Sequence, residues 1–185
     1  MKSIFHTNEI PGGYHWTITS KLGHILYTAE QKYGLRDQEY TILGVELNEN
    51  GPQVWYPGNR KHIIIQISNN CEHDISRAVF QTAHEVIHCL CPTGKNNSNV
   101  LEEGLANLFS LDYTREHGHG LTWQTMNQKY TDASHLLKEL LAFDPDIIKK
   151  LRKIQPTISL INKALILKIN PNVPAELAEK LTEKF

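Results

Sequence analysis

Residues 84–88 read His-Glu-Val-Ile-His. On a helix, His84 and His88 lie four positions apart and project from one face. Two imidazoles at that spacing can grip one Zn²⁺ through neutral ring nitrogens. Glu85, one step round the helix, is near enough to take a proton from a water on that metal. A shuffled chain of this composition carries the same pattern in roughly 4% of cases, so the surrounding residues must supply the rest of the argument.

Those surroundings predict a helix beneath the motif. Ile75, Val79, Ala83, Val86, Ile87 and Leu90 recur at helical spacing. Asp74 or Ser76 offers an N-cap, and Pro92-Thr93-Gly94 stops the run, so the helix is expected over about Asp74 to Cys91. A zinc hydrolase also needs a third protein ligand and an open fourth position. The segment Leu101 to Asn107 offers two carboxylates, Glu102 and Glu103. Leu101, Leu105, Leu108 and Phe109 place them on a second amphipathic helix, about Asn99 to Glu116, with Ser98 or Asn99 as cap and Gly118 as stop. A loop through Gly94-Lys95-Asn96-Asn97 lets this helix return beside the first, which carries Glu103 towards the histidines. Neighbouring helical residues point about 100° apart, so only one of the two carboxylates can face the metal. Cys91, three residues past His88 on the same face, is a further alternative; the plainer reading makes Cys89 and Cys91 small buried side chains.

The combination of His84-Glu85-x-x-His88 with a downstream Glu103-Gly104-Leu105-Ala106 resembles the gluzincin metallopeptidases, specifically over about 74–117. The resemblance implies that His84, His88 and Glu103 hold one Zn²⁺ and that Glu85 is the catalytic base. It selects Glu103 over Glu102, which is then a solvated carboxylate favoured by the helix N-terminus. Gluzincins often carry an aspartate four residues after the ligand glutamate, where it orients a histidine ligand. Asn107 stands there in this chain, a weaker acceptor than a carboxylate.

The elements that must position these residues follow from patterning. Residues 1–18 read as an irregular arm or a short strand around Tyr14 to Ile18. Leu22, Ile25, Leu26, Ala29 and Tyr33 mark a first helix, capped by Ser20 and ended by Gly34. Tyr40 to Leu47 reads as a strand, Asn50-Gly51 as a hairpin turn, and Gln53 to Tyr56 as the return strand. Lys61 to Ser68, with Ile63, Ile64, Ile65 and Ile67, reads as a third, well-buried strand. After Gly120 four helices are expected: one from Thr131 or Asp132, one from Asp144-Pro145, one over about Thr157 to Lys168, and one from Pro174 onward. The expected class is α+β, zincin-like: a small, mainly antiparallel sheet with the metal helix, then a helical lobe. Residues 1–120 form the first lobe and 121–185 the second, which closes the cleft of a single catalytic domain.

Composition narrows the partners. The chain has 185 residues, 40% of them hydrophobic, enough for one domain with a real core. A net charge of −1 points to no polyanion, so nucleic acid is not expected as a partner. No apolar run follows Met1-Lys2, and Pro11-Gly12-Gly13 interrupts early, so neither a secretory leader nor a membrane span is expected, and the default compartment is cytoplasmic. Three cysteines, Cys71, Cys89 and Cys91, do not suggest a disulfide framework. Oligomeric state is not legible.

The expected activity is zinc-dependent hydrolysis of peptide bonds in a peptide or protein substrate. Glu85 takes a proton from the attacking water and returns it to the leaving amine. A second donor to the oxyanion comes from Tyr130, His117, His119, His135 or Arg152, of which Tyr130 and His117 are the leading candidates. Against them stand plainer readings: Tyr130 as a core-edge aromatic, His117 and His119 as surface histidines on a turn, and Arg152 as the partner of an acidic side chain. His6, His15, His24, His62 and His73 read as surface or satisfied residues, and Trp16, Trp55 and Trp123 as core or rim aromatics. Zincins hold an extended peptide along a sheet edge, and the strand near 53–56 or 61–68 offers one. A regulatory protein with a structural zinc site is the rival reading, but such a site has no need of Glu85. Deformylase-like hydrolysis requires an upstream Glu-Gly-Cys segment that is missing here. A repressor-cleaving cytosolic protease is a subtype of the first reading, by its similar pairing of a ligand glutamate with an Ala-Asn pair.

Overall fold

The computed structural model describes residues 3–58, 61–94, 97–119 and 127–185. Lys95, Asn96, Gly120 and Trp123 lie outside them. The chain mixes helix and strand, with helices dominating, which is compatible with the α+β class.

An N-terminal arm forms a two-stranded ribbon, β1 (Glu9–Ile10) against β2 (Gly13–Tyr14). Helix α1 (Ile18–Tyr33) follows. Its cap is Thr17 rather than Ser20: the Thr17 side chain accepts from the Ser20 backbone and Ser20 returns the bond, a capping box that needs both residues. Gly34 ends the helix with φ of 96°, a conformation open to glycine. Ile18, Leu22, Ile25, Ala29 and Tyr33 form its buried stripe.

Strands β3 (Thr41–Asn48), β4 (Gln53–Trp55) and β5 (His62–Ser68) form one sheet in the order β3-β5-β4. The expected hairpin between β3 and β4 is therefore not made. Strand β5 lies between them, parallel to β3 and antiparallel to β4, so the sheet is half parallel rather than mainly antiparallel. The physical reason is burial. Ile63, Ile65 and Ile67 are fully buried, and the most apolar strand takes the central place. The Asn50-Gly51 turn still forms, with Asn48 donating to the Gly51 carbonyl at 3.0 Å, but it opens wide enough to admit β5. Strand β4 is left as an edge.

Helix α2 (Ile75–His88) is capped by Asp74, whose carboxylate accepts from the Arg77 backbone. It packs the sheet and α1 on one side and helix α3 (Val100–Glu116) on the other. Helix α3 is capped by Asn99 and is not amphipathic as expected. It is buried on nearly every side, because α2, helix α4 (Gln128–Phe143) and helix α7 (Ala175–Thr182) surround it. Helix α4 starts earlier than the sequence suggested, since Asn127 rather than Thr131 or Asp132 caps it. Helix α5 (Ile147–Arg152) follows Asp144-Pro145. The helix expected over 157–168 divides into a 3₁₀ turn at Ile158–Leu160 and helix α6 (Lys163–Ile169), because the Asn162 side chain caps a fresh start. One hydrophobic cluster runs from Ile4 to Leu181 and draws on all these helices. Among the described residues no helix is long and apolar enough to cross a membrane.

Arg152 makes no ion pair among the described residues and does not line the cavity beside His84 and His88. It is buried, and its guanidinium donates to five carbonyls: Pro156 at 3.2 Å, Tyr33 at 2.8 Å, Gly34 at 2.7 Å, Leu35 at 3.1 Å and Leu90 at 3.3 Å. It thus satisfies the chain leaving α1 and the chain leaving α2, tying α5 to both.

Candidate metal centre

His84 and His88 sit in the last turn and a half of α2, and Glu103 in the first turn of α3. The antiparallel return brings them together. His84 Nε2 lies 3.2 Å from one Glu103 carboxylate oxygen, and His88 Nε2 lies 3.7 Å from the other. The ligand atoms of the three residues all fall within 4.8 Å of one another. Bonds of 2.0–2.2 Å in a tetrahedral shell set neighbouring ligand atoms roughly 3.3–3.6 Å apart, so the 3.2 Å pair already matches such a shell, and separations of up to 4.8 Å would close further for one metal ion to take all three atoms. Cys91 is not in the set; its sulfur lies 3.1 Å from the Thr157 hydroxyl, on the cleft wall.

The two carboxylates of α3 have separate places. Glu102 Oε1 lies 2.9 Å from His88 Nδ1, on the side of the ring away from Glu103. It is not a solvated helix-start residue: its side chain is only 12% exposed. Ser98 donates to Glu103 Oε1 at 2.5 Å, bracing the proposed ligand from behind. The Ser98 carbonyl in turn accepts the backbone N–H of Phe185, and Asn99 bridges to Lys184, so the C-terminal segment pins the loop that precedes α3.

Glu85 is 5% exposed and points into the same cavity. Burial raises its pKa, the nearby histidines oppose this, and Glu103 adds to it, which leaves a carboxyl poised to take up a proton. Burial disfavours the charged ring of His88, but the hydrogen bond to Glu102 and the carboxylates Glu103 and Glu85 outweigh it and bring the pKa to about 10 in the metal-free chain. For Glu103 burial is likewise overcome, by His84, His88 and Ser98, and its pKa falls to about 2.

Tyr130, in the first turn of α4, joins the cluster. Its ring meets His84 edge-on at 5.6 Å, and Phe185 packs on it at 4.8 Å. Burial, with Glu103 and Glu85 nearby, lifts its phenol to about 12, so it stays a proton donor at any working pH. Gly104 explains how α4 comes so close. A Cβ at that position would stand 2.5 Å from the Ala133 carbonyl oxygen, so only glycine admits this crossing. The glycine that follows the glutamate is thus the notch that seats α4, and Tyr130 with it.

His117 is not part of the site. It caps the C-terminal end of α3, fourteen residues beyond Glu103, which at 1.5 Å each puts it about 21 Å away along the helix. His119 packs with Trp16 near the same end, and His135 is exposed on α4. The cavity, about 220 Å³, is lined by the edge strand through Gln53 and Val54, by Tyr56, and by Ser98 and Ser159. Sequence reasoning missed Glu102 as a partner of His88 and Ser98 behind Glu103; of the two strands it offered as an edge, 53–56 lines the cavity. The Asn99-x-x-Glu102 spacing was the available signal for the first, since it marks a glutamate at the capping-box position that the box need not hold.

Set against models of known families, curated proteins and solved structures, the chain finds no match in any of the three.

Proposed function

We propose that this chain is a zinc-dependent peptidase of the gluzincin type on a zincin-like fold. The observation that carries the reading is the convergence of His84 Nε2, His88 Nε2 and the Glu103 carboxylate beside a buried Glu85. When bound, the zinc supplies Lewis acidity to a water and to the scissile carbonyl. Glu85 takes the proton of that water and delivers it to the departing amine. Its raised pKa suits both halves of this transfer. The Tyr130 phenol donates to the carbonyl oxygen as negative charge builds there. The unpaired edge of β4, on the rim of the cavity, holds an extended peptide by main-chain pairing. Residues 127–185 line the other side through Tyr130 and Ser159.

The test compares wild type with Glu85→Gln for bound zinc and for hydrolysis of a quenched peptide library. Both proteins are expected to carry about one zinc per chain, with hydrolysis reduced at least about 10²-fold in the variant. Zinc binding with equal hydrolysis in both would remove Glu85 as base. Zinc binding with no hydrolysis in wild type would favour a structural site in a binding protein.

A further inference from the structure

The proposed zinc site contains a carboxylate that neither holds metal nor moves a proton. We propose that Glu102 is the positioning residue of this site: it accepts the Nδ1–H of His88 and thereby fixes the ring in the orientation and tautomer that present Nε2 to the metal. The proposal rests on the zinc reading and adds to it a residue from the position before the ligand glutamate.

Three observations carry it. The first is geometry. Glu102 Oε1 and His88 Nδ1 are 2.9 Å apart, while His88 Nε2 faces Glu103 on the opposite edge of the ring. A carboxylate oxygen accepts and the ring N–H donates, so this contact holds a proton on Nδ1, and a neutral, metal-binding ring then carries its lone pair on Nε2. The second is what Glu102 forgoes. It occupies the third helical position after the Asn99 cap, and the Asn99 side chain accepts its backbone N–H at 2.9 Å. A glutamate at that position ordinarily turns back to the cap residue's N–H and completes a capping box. Here its side chain reaches across to α2 and is nearly buried there, with 12% exposure. The third is the loss of the alternative. The resemblance placed an orienting group four residues after Glu103, but Asn107 commits its amide to α4, donating to Ser134 Oγ at 2.7 Å and to the Tyr130 carbonyl at 3.3 Å. Its side-chain oxygen has no hydrogen-bond partner among the described residues. The group placed to orient a histidine thus lies one residue before Glu103 rather than four residues after it.

Zn²⁺ affinity, measured by competition with a chromophoric chelator, tests this on the full chain. Glu102→Ala is expected to bind zinc 10–100-fold more weakly than wild type, as loss of such an outer carboxylate does. Glu102→Gln, which keeps the shape and an accepting oxygen, is expected to recover most of that loss. The visible absorption of the Co²⁺-loaded protein should broaden in Glu102→Ala, reporting a mobile His88, and return in Glu102→Gln. Metal-free Glu102→Ala is expected to melt lower at neutral pH, because it loses the bond that helps hold the His88 proton, so the decision rests on the folded protein: a purely structural Glu102 would leave its zinc affinity and Co²⁺ spectrum unchanged. Equal zinc affinity and equal Co²⁺ spectra in wild type and Glu102→Ala would overturn the assignment and leave the zinc site standing. Absence of zinc binding in wild type would overturn the underlying site instead.

Discussion

Helix α3 carries histidine and tyrosine clusters at both ends, and among the described residues the one at its start could hold a metal ion. At its start, His84, His88 and Tyr130 surround Glu102 and Glu103. At its end, His24 and His117 surround Tyr113: His24 Nδ1 lies 2.6 Å from the Tyr113 hydroxyl, and His117 stacks on the ring at 4.1 Å. The His117 Nδ1–H is held by the Tyr113 carbonyl at 2.9 Å, which is the ordinary satisfaction of a helix C-terminus. The difference lies in the charge that faces the rings. At the first end carboxylates bring His88 to about 10. At the second, burial together with Lys21 and His117 lowers His24 and takes His119 down to about 4. Histidine count does not make a metal centre. Lone pairs converging on one point, with anions behind and beside them, do.

Breaking the ligand set should have the largest effect. His84→Ala or Glu103→Ala is expected to lose essentially all bound zinc and all hydrolysis, while His24→Ala and His117→Ala keep about one zinc per chain, as read by elemental analysis of dialysed protein. Loss of zinc on changing His117 would move the centre to the wrong end of the helix. The two tyrosines provide the next contrast. Tyr130→Phe should lower kcat by about 10²-fold with KM little changed, the usual consequence of losing one oxyanion donor. Tyr113→Phe should leave kcat within about twofold, since its hydroxyl meets His24 far from the cavity. A smaller effect is expected from Gly104→Ala. The added methyl cannot fit against the Ala133 carbonyl, so α4 must shift and carry Tyr130 away. A kcat about tenfold lower with zinc retained, together with a stability loss of about 1–3 kcal/mol in denaturant titration, would confirm the notch.

The smallest predicted effect concerns the metal-free protein and pH. His88 has a raised folded-state pKa, so its contribution is fully present below the ordinary histidine value of 6.5 and is lost as pH rises through about 10. Glu103 has a lowered one, so its contribution is present above 4.5 and is lost as pH falls through about 2. Chelator-treated protein should therefore melt highest between about pH 4.5 and 6.5 and decline towards pH 10, with the alkaline decline flattened in His88→Ala. An unchanged alkaline slope in that variant would count against the carboxylate field at this end of α3. At the far end His119→Ala should not alter the slope above pH 7, because a lowered pKa leaves that ring neutral there.

The parts legible from sequence were those governed by short range. The helix under His84 to His88, its Asp74 cap, the Asn99 cap and the antiparallel return of Glu103 all follow from spacing and local hydrogen bonding. Strand order was not legible, because Asn50-Gly51 signals a turn but cannot say whether another strand will enter between its arms. Nor was the division between Tyr130 and His117. Both sit at helix ends beside turn residues, and the choice depends on the crossing of α3 and α4 at Gly104 and Ala133. Glu102 and Glu103 differ by one position, and only the seating of α3 against α2 decides which meets Nε2 and which meets Nδ1. The sequence by itself determined that His84 and His88 share one helix face, because a helical period of 3.6 residues is a local property. The tertiary structure decided that Glu102 meets His88 Nδ1, that Tyr130 rather than His117 arrives beside His84, and that the 53–55 edge rather than 62–68 borders the cavity, because each arrives from a segment placed by core packing rather than by its own neighbours.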